Sequence, residues 1–129
     1  MLRRLLSPRS EAVYAALRII AGLLFAFHGL QKVFGVMMEQ QPPVGSQLWI
    51  GGVIEIVTGL LIAVGFLTVW AAFLASGTMA VAYLQFHWKF AFDGAFWPAV
   101  NKGELAVVYA FLFLYIACRG AGGASLDRK

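Results

Sequence analysis

The sequence predicts an all-α integral membrane protein, a four-helix transmembrane bundle, from three observations. Hydrophobic residues make up 61% of its 129 positions. Charged residues make up only 12%, against roughly a quarter in a soluble domain, and the mean hydropathy is +0.80. Four apolar stretches approach the roughly 20 residues that a helix rising about 1.5 Å per residue needs to cross a hydrocarbon core of about 30 Å. A chain this short has too little interior to hide so much apolar surface from water, so lipid is the expected solvent.

The first stretch runs from about Val13 to Phe34. The second runs from about Leu48 to Phe66, after the break Gln40-Gln41-Pro42-Pro43. The third, from about Val69 to Phe86, follows so closely that the two form a tight helical hairpin. The fourth, from about Gly103 to Arg119, is the shortest. Residues 1–129 read as one domain, and no tandem repeat is visible. Small residues recur four apart, as Gly22 and Ala26, as Gly51 and Gly59 about Glu55, and as Ala72, Ser76 and Ala80. That spacing lets helix backbones approach closely in lipid.

An even number of spans places both termini on one side. Arg3, Arg4, Arg9 and Arg18 lie toward one terminus and Arg119, Arg128 and Lys129 toward the other, so both are expected to be cytoplasmic. Trp49, Trp88 and Trp97 then fall near the outer interface and Trp70 near the inner one. Arg18 is the single cation inside a span on the cytoplasmic half, where its long stem is expected to snorkel to the headgroups. The net charge of +4 brings no basic run that could follow a phosphate backbone, so nucleic acid is not an expected partner. The lone Cys118 excludes an internal disulfide and dithiol chemistry, and no cleavable signal peptide is expected.

Helix direction sorts the polar residues by depth. His28, Gln31 and Lys32 reach the outer half of the first helix, and Glu55 lies in the outer half of the second. The third ends at Gln85, His87, Trp88 and Lys89, and the fourth begins at Asn101, Lys102 and Glu104. Lys32, Lys89 and Lys102 balance Glu55, Asp93 and Glu104. Ionisable groups in a span are costly unless paired or hydrated, and Lys32 is the first partner expected for Glu55. The alternating aromatic residues from Phe86 to Phe92, with Phe96 and Trp97, read as an interfacial loop or as a lid over this cluster.

Particular segments resemble a known family. His28-Gly29-Leu30-Gln31-Lys32-Val33-Phe34-Gly35, the glycine-rich run from Gly51 to Leu61, Asn101-Lys102-Gly103-Glu104-Leu105-Ala106 and the ending at Arg119-Gly120-Ala121-Gly122 and Ser125-Leu126-Asp127 are similar to the DoxX family of bacterial membrane proteins. The resemblance implies a four-helix protein of the bacterial plasma (inner) membrane. Relatives include a subunit of thiosulfate:quinone oxidoreductase and proteins linked to oxidative-stress defence, among them a membrane complex with superoxide dismutase and a sulfurtransferase. No catalytic set comes with it.

Two functional classes follow. One is an accessory or scaffold subunit of a redox or oxidative-stress membrane complex, with redox proteins or a second copy of the chain as partners beside the lipid bilayer. The other is a subunit that binds a quinone or similar small molecule. Quinone carbonyls need donors beside an apolar slot, which His28, Gln31, Lys32, His87 and Trp88 could supply, with Glu55 or Glu104 exchanging protons. Transport ranks lower, because no broken-helix pair is evident. No metal site is assigned: His28, His87, Glu55 and Glu104 could ligate one, but neither helix carries the Glu-x-x-His pattern of di-iron bundles.

Overall fold

A computed structural model describes residues 1–91 and 94–127, with only the backbone of Ala95. It is all-helical among those residues. The four long helices are α1 (Ser10–Phe34), α2 (Gln47–Val64), α3 (Thr68–Ala82) and α4 (Glu104–Arg119). A helical turn at Leu2–Leu6 and a 3-10 turn at Ser7–Arg9 lead directly into α1. Beyond Ala82, α3 widens into a π turn over Tyr83–Trp88. Three helical stretches, Leu2–Phe34, Gln47–Val64 and Thr68–Trp88, are long and apolar enough to cross a membrane. At 16 residues, roughly 24 Å at about 1.5 Å each, α4 is shorter than a usual span.

Local chemistry sets the helix ends. Gly35 ends α1 with φ +69°, a left-handed conformation that costs glycine little, and its N–H donates to the Gln31 carbonyl. The Ser46 side chain accepts from the Trp49 N–H at 3.3 Å and so caps α2. The α2–α3 turn is tight because Gly65 adopts φ +71° and Leu67 φ +50°. A left-handed leucine is strained. Asp127, from the tail beyond α4, holds it: its carboxylate accepts the N–H groups of Leu67 at 2.8 Å and Thr68 at 2.9 Å. Asp127 thus caps α3 from more than fifty residues away. The Thr68 hydroxyl beside it, then the N–H groups of Thr68 and Leu67, hold the carboxyl below the usual aspartate range. Among the described residues the Thr68 hydroxyl has no hydrogen-bond partner, so it acts on the carboxyl through its nearby dipole, and the two N–H groups are the hydrogen-bonded partners.

The bundle is a pair of pairs. α1 packs closely along α2 and α3 along α4, whereas the α2–α3 seam is thinner. The first pair meets through glycine: a Cβ on Gly22 would stand 2.6 Å from the Gly59 carbonyl, and one on Gly59 equally close to that of Gly22. Gly29 faces Gly52 in the same way. Gly52 and Gly59 therefore make the contact, and Gly51 does not; a Cβ there would meet nothing within 4 Å. In the second pair Ala72 and Ala75 are fully buried and Ser76 donates to the Ala110 carbonyl at 2.6 Å, while Ala80 faces out. Phe25 from the first pair meets Phe113 and Tyr109 from the second, at ring-centroid distances of 4.7 and 5.4 Å. Large apolar residues such as Leu24, Val57, Phe73 and Phe111 cover the outside, as lipid-facing surfaces require.

The snorkelling expected of Arg18 does not occur. Its side chain is fully buried and turned into the bundle. It donates to four backbone carbonyls: Ile62 at 3.0 Å, Ala121, Gly123 at 2.9 Å and Ala124 at 2.6 Å. The guanidinium's fixed fork of donors suits such a cradle: the tail carbonyls need a donor, and the Ile62 carbonyl, which also accepts the Gly65 N–H at 3.2 Å, has a second lone pair to offer. The same tail is held further where Leu126 and Asp127 donate to Val64 and Gly65, and the Tyr14 hydroxyl donates to Gly120 at 2.6 Å. Arg119 lies over the Tyr14 ring and pairs with Glu11.

Candidate functional site

The opposite end of the bundle is built differently. His28 and Lys32 stand one turn apart on α1, on either side of the Gly29 step where α2 comes closest. That approach brings Glu55 of α2 to Lys32, with Nζ 2.5 Å from Oε1, so the partner expected for Glu55 is the one it meets. Glu55 is 1% exposed, and its second oxygen, Oε2, has no hydrogen-bond partner among the described residues. A half-satisfied buried carboxylate is an expensive feature in a low-dielectric interior.

Beside this pair lies a cavity of about 230 Å³. Its polar lining is His28, Lys32, Glu55, His87, Lys102 and Tyr109, and its apolar lining includes Phe25, Met79 and Leu105. Tyr109 stands edge-on to His28, with centroids 6.4 Å apart, and stacks on Phe113 below. His87 is placed by the junction between α3 and α4. Its Nδ1 lies 3.3 Å from the Asn101 carbonyl, a hydrogen bond when that nitrogen carries the proton. The Asn101 side chain accepts the Gly103 N–H at 2.8 Å and donates to the Tyr83 hydroxyl at 3.3 Å. Gly103 is required there, because a Cβ would lie 2.8 Å from both His87 and Tyr83.

Five of the residues singled out by sequence thus share one cavity: His28, Lys32, Glu55, His87 and Lys102. The others do not line it. Gln31 is half-buried on α1; Gln85 is exposed and accepts from Gln47; Asn101 braces the turn. Glu104 is exposed in the first turn of α4, where a carboxylate suits the helix dipole. Trp88 donates to the Ala91 carbonyl at 2.5 Å and packs against Phe90 and Phe96, with Trp97 next in the row. None of these four aromatic residues lines the cavity; they pack on one another in the segment between α3 and α4. Phe92, Asp93, Arg128 and Lys129 lie outside the described residues.

Sequence reasoning passed over Tyr109, Phe25 and Met79 as lining residues. The hydroxyl of Tyr109 inside an apolar helix was the available signal; Phe25 and Met79 gave none. Among the described residues no three His, Cys, Asp or Glu side chains converge as metal ligands.

A second, larger hollow of about 680 Å³ runs along the thin α2–α3 seam. Lys32, Glu55, Met79 and Ala82 line both it and the inner cavity, so the ion pair stands between the two.

The DoxX family profile matches residues 13–88, more than half of the chain. The chain is also 40% identical over 119 residues to an uncharacterized protein of Haemophilus influenzae, covering 89% of this chain and 88% of that protein. No solved structure matches the chain. The chain belongs to the DoxX family of membrane proteins.

Proposed function

We propose that this chain is a small-molecule-binding subunit of a membrane redox complex, with a quinone as the ligand at the Glu55 cavity. The observation that carries this reading is a convergence: His28, Lys32, His87, Lys102 and Tyr109 line a cavity of about 230 Å³ beside a carboxylate whose Oε2 has no hydrogen-bond partner among the described residues. A bundle locked only for stability would close such a space or satisfy its carboxylate. His28 and Lys102 offer donors to quinone carbonyls, His87 does so in the tautomer with its proton on Nε2, and Glu55 is the acid beside them. A scaffold role finds no comparable feature in its favour.

In the same reading the bundle crosses the bacterial plasma membrane four times, with the termini cytoplasmic and the cavity toward the outer face. Support for α4 as the fourth span comes from its apolar middle between Lys102 and Arg119, and from the buried faces it shares with α3. The test is titration of the purified protein in nanodiscs with a water-soluble, tail-less benzoquinone, read by tryptophan fluorescence. Saturable binding that is weakened about tenfold by His28→Ala is expected, as for loss of one hydrogen bond to the ligand. Failure of the wild-type protein to bind the benzoquinone sinks the quinone reading.

A further inference from the structure

The α2–α3 seam contains two glycines that serve no packing purpose within the chain. Gly51 on α2 and Gly77 on α3 both line the hollow there, and a Cβ on either would meet nothing within 4 Å. This contrasts with Gly22, Gly29 and Gly59, where a Cβ would strike the backbone of the facing helix, and with Gly52, where it would stand 2.8 Å from the Lys32 side chain. The hollow is long. Its α3 wall runs from Trp70 to Ala82, roughly 18 Å at about 1.5 Å per residue, more than half of the hydrocarbon thickness. Its walls are apolar except for Lys32, Gln47, Glu55 and Thr78, whose hydroxyl is turned back to the Leu74 carbonyl at 2.8 Å, and Glu55 stands partway along it. Its volume of about 680 Å³ falls within the roughly 300–1,000 Å³ of small-molecule sites.

We infer that this seam holds a single-chain amphiphile taken from the lipid phase, its chain along α2 and α3 and a hydroxyl head on Glu55. The inference rests on the Glu55 cavity being a ligand site, and it adds the class of ligand and the route of entry. A long, largely apolar groove with one unsatisfied polar group on its wall fits a molecule with one chain and one head. Paired with Lys32 as a carboxylate, Glu55 calls for a head that donates, because its Oε2 is buried and has no hydrogen-bond partner among the described residues. An O–H head completes it; an ether or ester head, which only accepts, does not. A helix from a second copy of the chain is the competing occupant, but its packing would leave that oxygen unsatisfied unless it delivered a donor at the same depth.

The test uses photoactivatable probes with the full chain in nanodiscs. A diazirine-bearing hexadecanol is expected to label residues 47–55 and 70–86, and its methyl ether to label them at least about tenfold less, as loss of a hydrogen bond to a buried carboxylate implies. Gly51→Leu and Gly77→Leu are expected to abolish labelling, while Gly51→Ala and Gly77→Ala retain it; thermal unfolding confirms that all four are folded. Competition by a prenylated quinol, or by an unlabelled saturated alcohol, tells which source of such a head is preferred. Equal labelling by alcohol and ether, labelling that survives both leucine variants, or a dimer that both leucine variants dissociate overturns the proposal. Benzoquinone binding separates the two readings. If it persists when the groove proposal fails, only the latter is lost; if it is absent while hexadecanol labels, only the quinone reading is lost.

Discussion

Each end of the bundle buries one charged residue almost completely, Arg18 at 0% exposure and Glu55 at 1%, yet their surroundings differ. Arg18 donates to four carbonyls and is enclosed by its own chain. Glu55 has one lysine on one oxygen, nothing among the described residues on the other, and a cavity alongside. Both positions are expensive in a membrane interior. The first cost is met within the fold, which marks structure. The second is met only in part among the described residues, and the proposed ligand site rests on that difference.

Breaking the satisfied end should have the largest effect. Arg18→Met removes the arginine's donors and strands the three tail carbonyls, so a loss of about 3–5 kcal/mol is expected, as for removing one partner of a buried charge network. The tail beyond Gly120 should become protease-sensitive at once, and Arg18→Lys should recover only part of the loss because it lacks the guanidinium fork. A tail as resistant as wild type would remove the distinction between the two ends.

Breaking the other end should cost less. Lys32→Met leaves Glu55 unpaired, at about 2–3 kcal/mol, below the fully buried case because Lys32 keeps a quarter of its side chain exposed. Adding Glu55→Met should restore most of that loss, because both charges are then gone. Thermal unfolding of the three variants closes this cycle. Additive losses would mean that the pair has no coupling.

Next come the glycines. Gly59→Ala pushes a Cβ against the Gly22 carbonyl and should cost about 1–3 kcal/mol, whereas Gly51→Ala, eight residues earlier, should stay within about 0.5 kcal/mol. Equal unfolding midpoints for the two variants would contradict the packing described for α1 and α2.

The smallest effect concerns Asp127. Its carboxyl is held below the usual range, so its contribution is fully present above the unfolded value of about 4 and is lost as pH falls through the lower, folded one. Amide exchange at Leu67 and Thr68, corrected for its intrinsic pH dependence, should show constant protection from neutral pH to about pH 4 and a decline only in stronger acid. Asp127→Asn should flatten that profile and cost about 1 kcal/mol or less, as for an exposed helix cap.

The sequence reveals those features whose physics is local. Apolar length alone located the helical stretches within a few residues, and the cost of an unpaired Glu55 pointed to Lys32 one helix away. The helix that ends at Val64 is set by Gly65, visible as a glycine but not as a left-handed one. Arg18 was misread because its acceptors are carbonyls, which every residue has, supplied from a tail with no distinctive pattern. The choice of Gly52 over Gly51 is a matter of one residue, about 100° of helix rotation, finer than a small-residue stripe can resolve. Which polar residues share the cavity depended on the π turn and the Asn101–Gly103 junction, whose backbone geometry composition does not encode.

The cradle around Arg18 also bears on biosynthesis. Three of its four acceptors lie more than a hundred residues after the arginine. On the ribosome, α1 must therefore wait in the insertion machinery, or with its guanidinium in the headgroups, until α4 and the segment after it have emerged. Nascent chains stalled before Gly120 should leave α1 extractable or accessible to reagents, and those released past Ala124 should not. In this bundle the first helix inserted is the last to be secured.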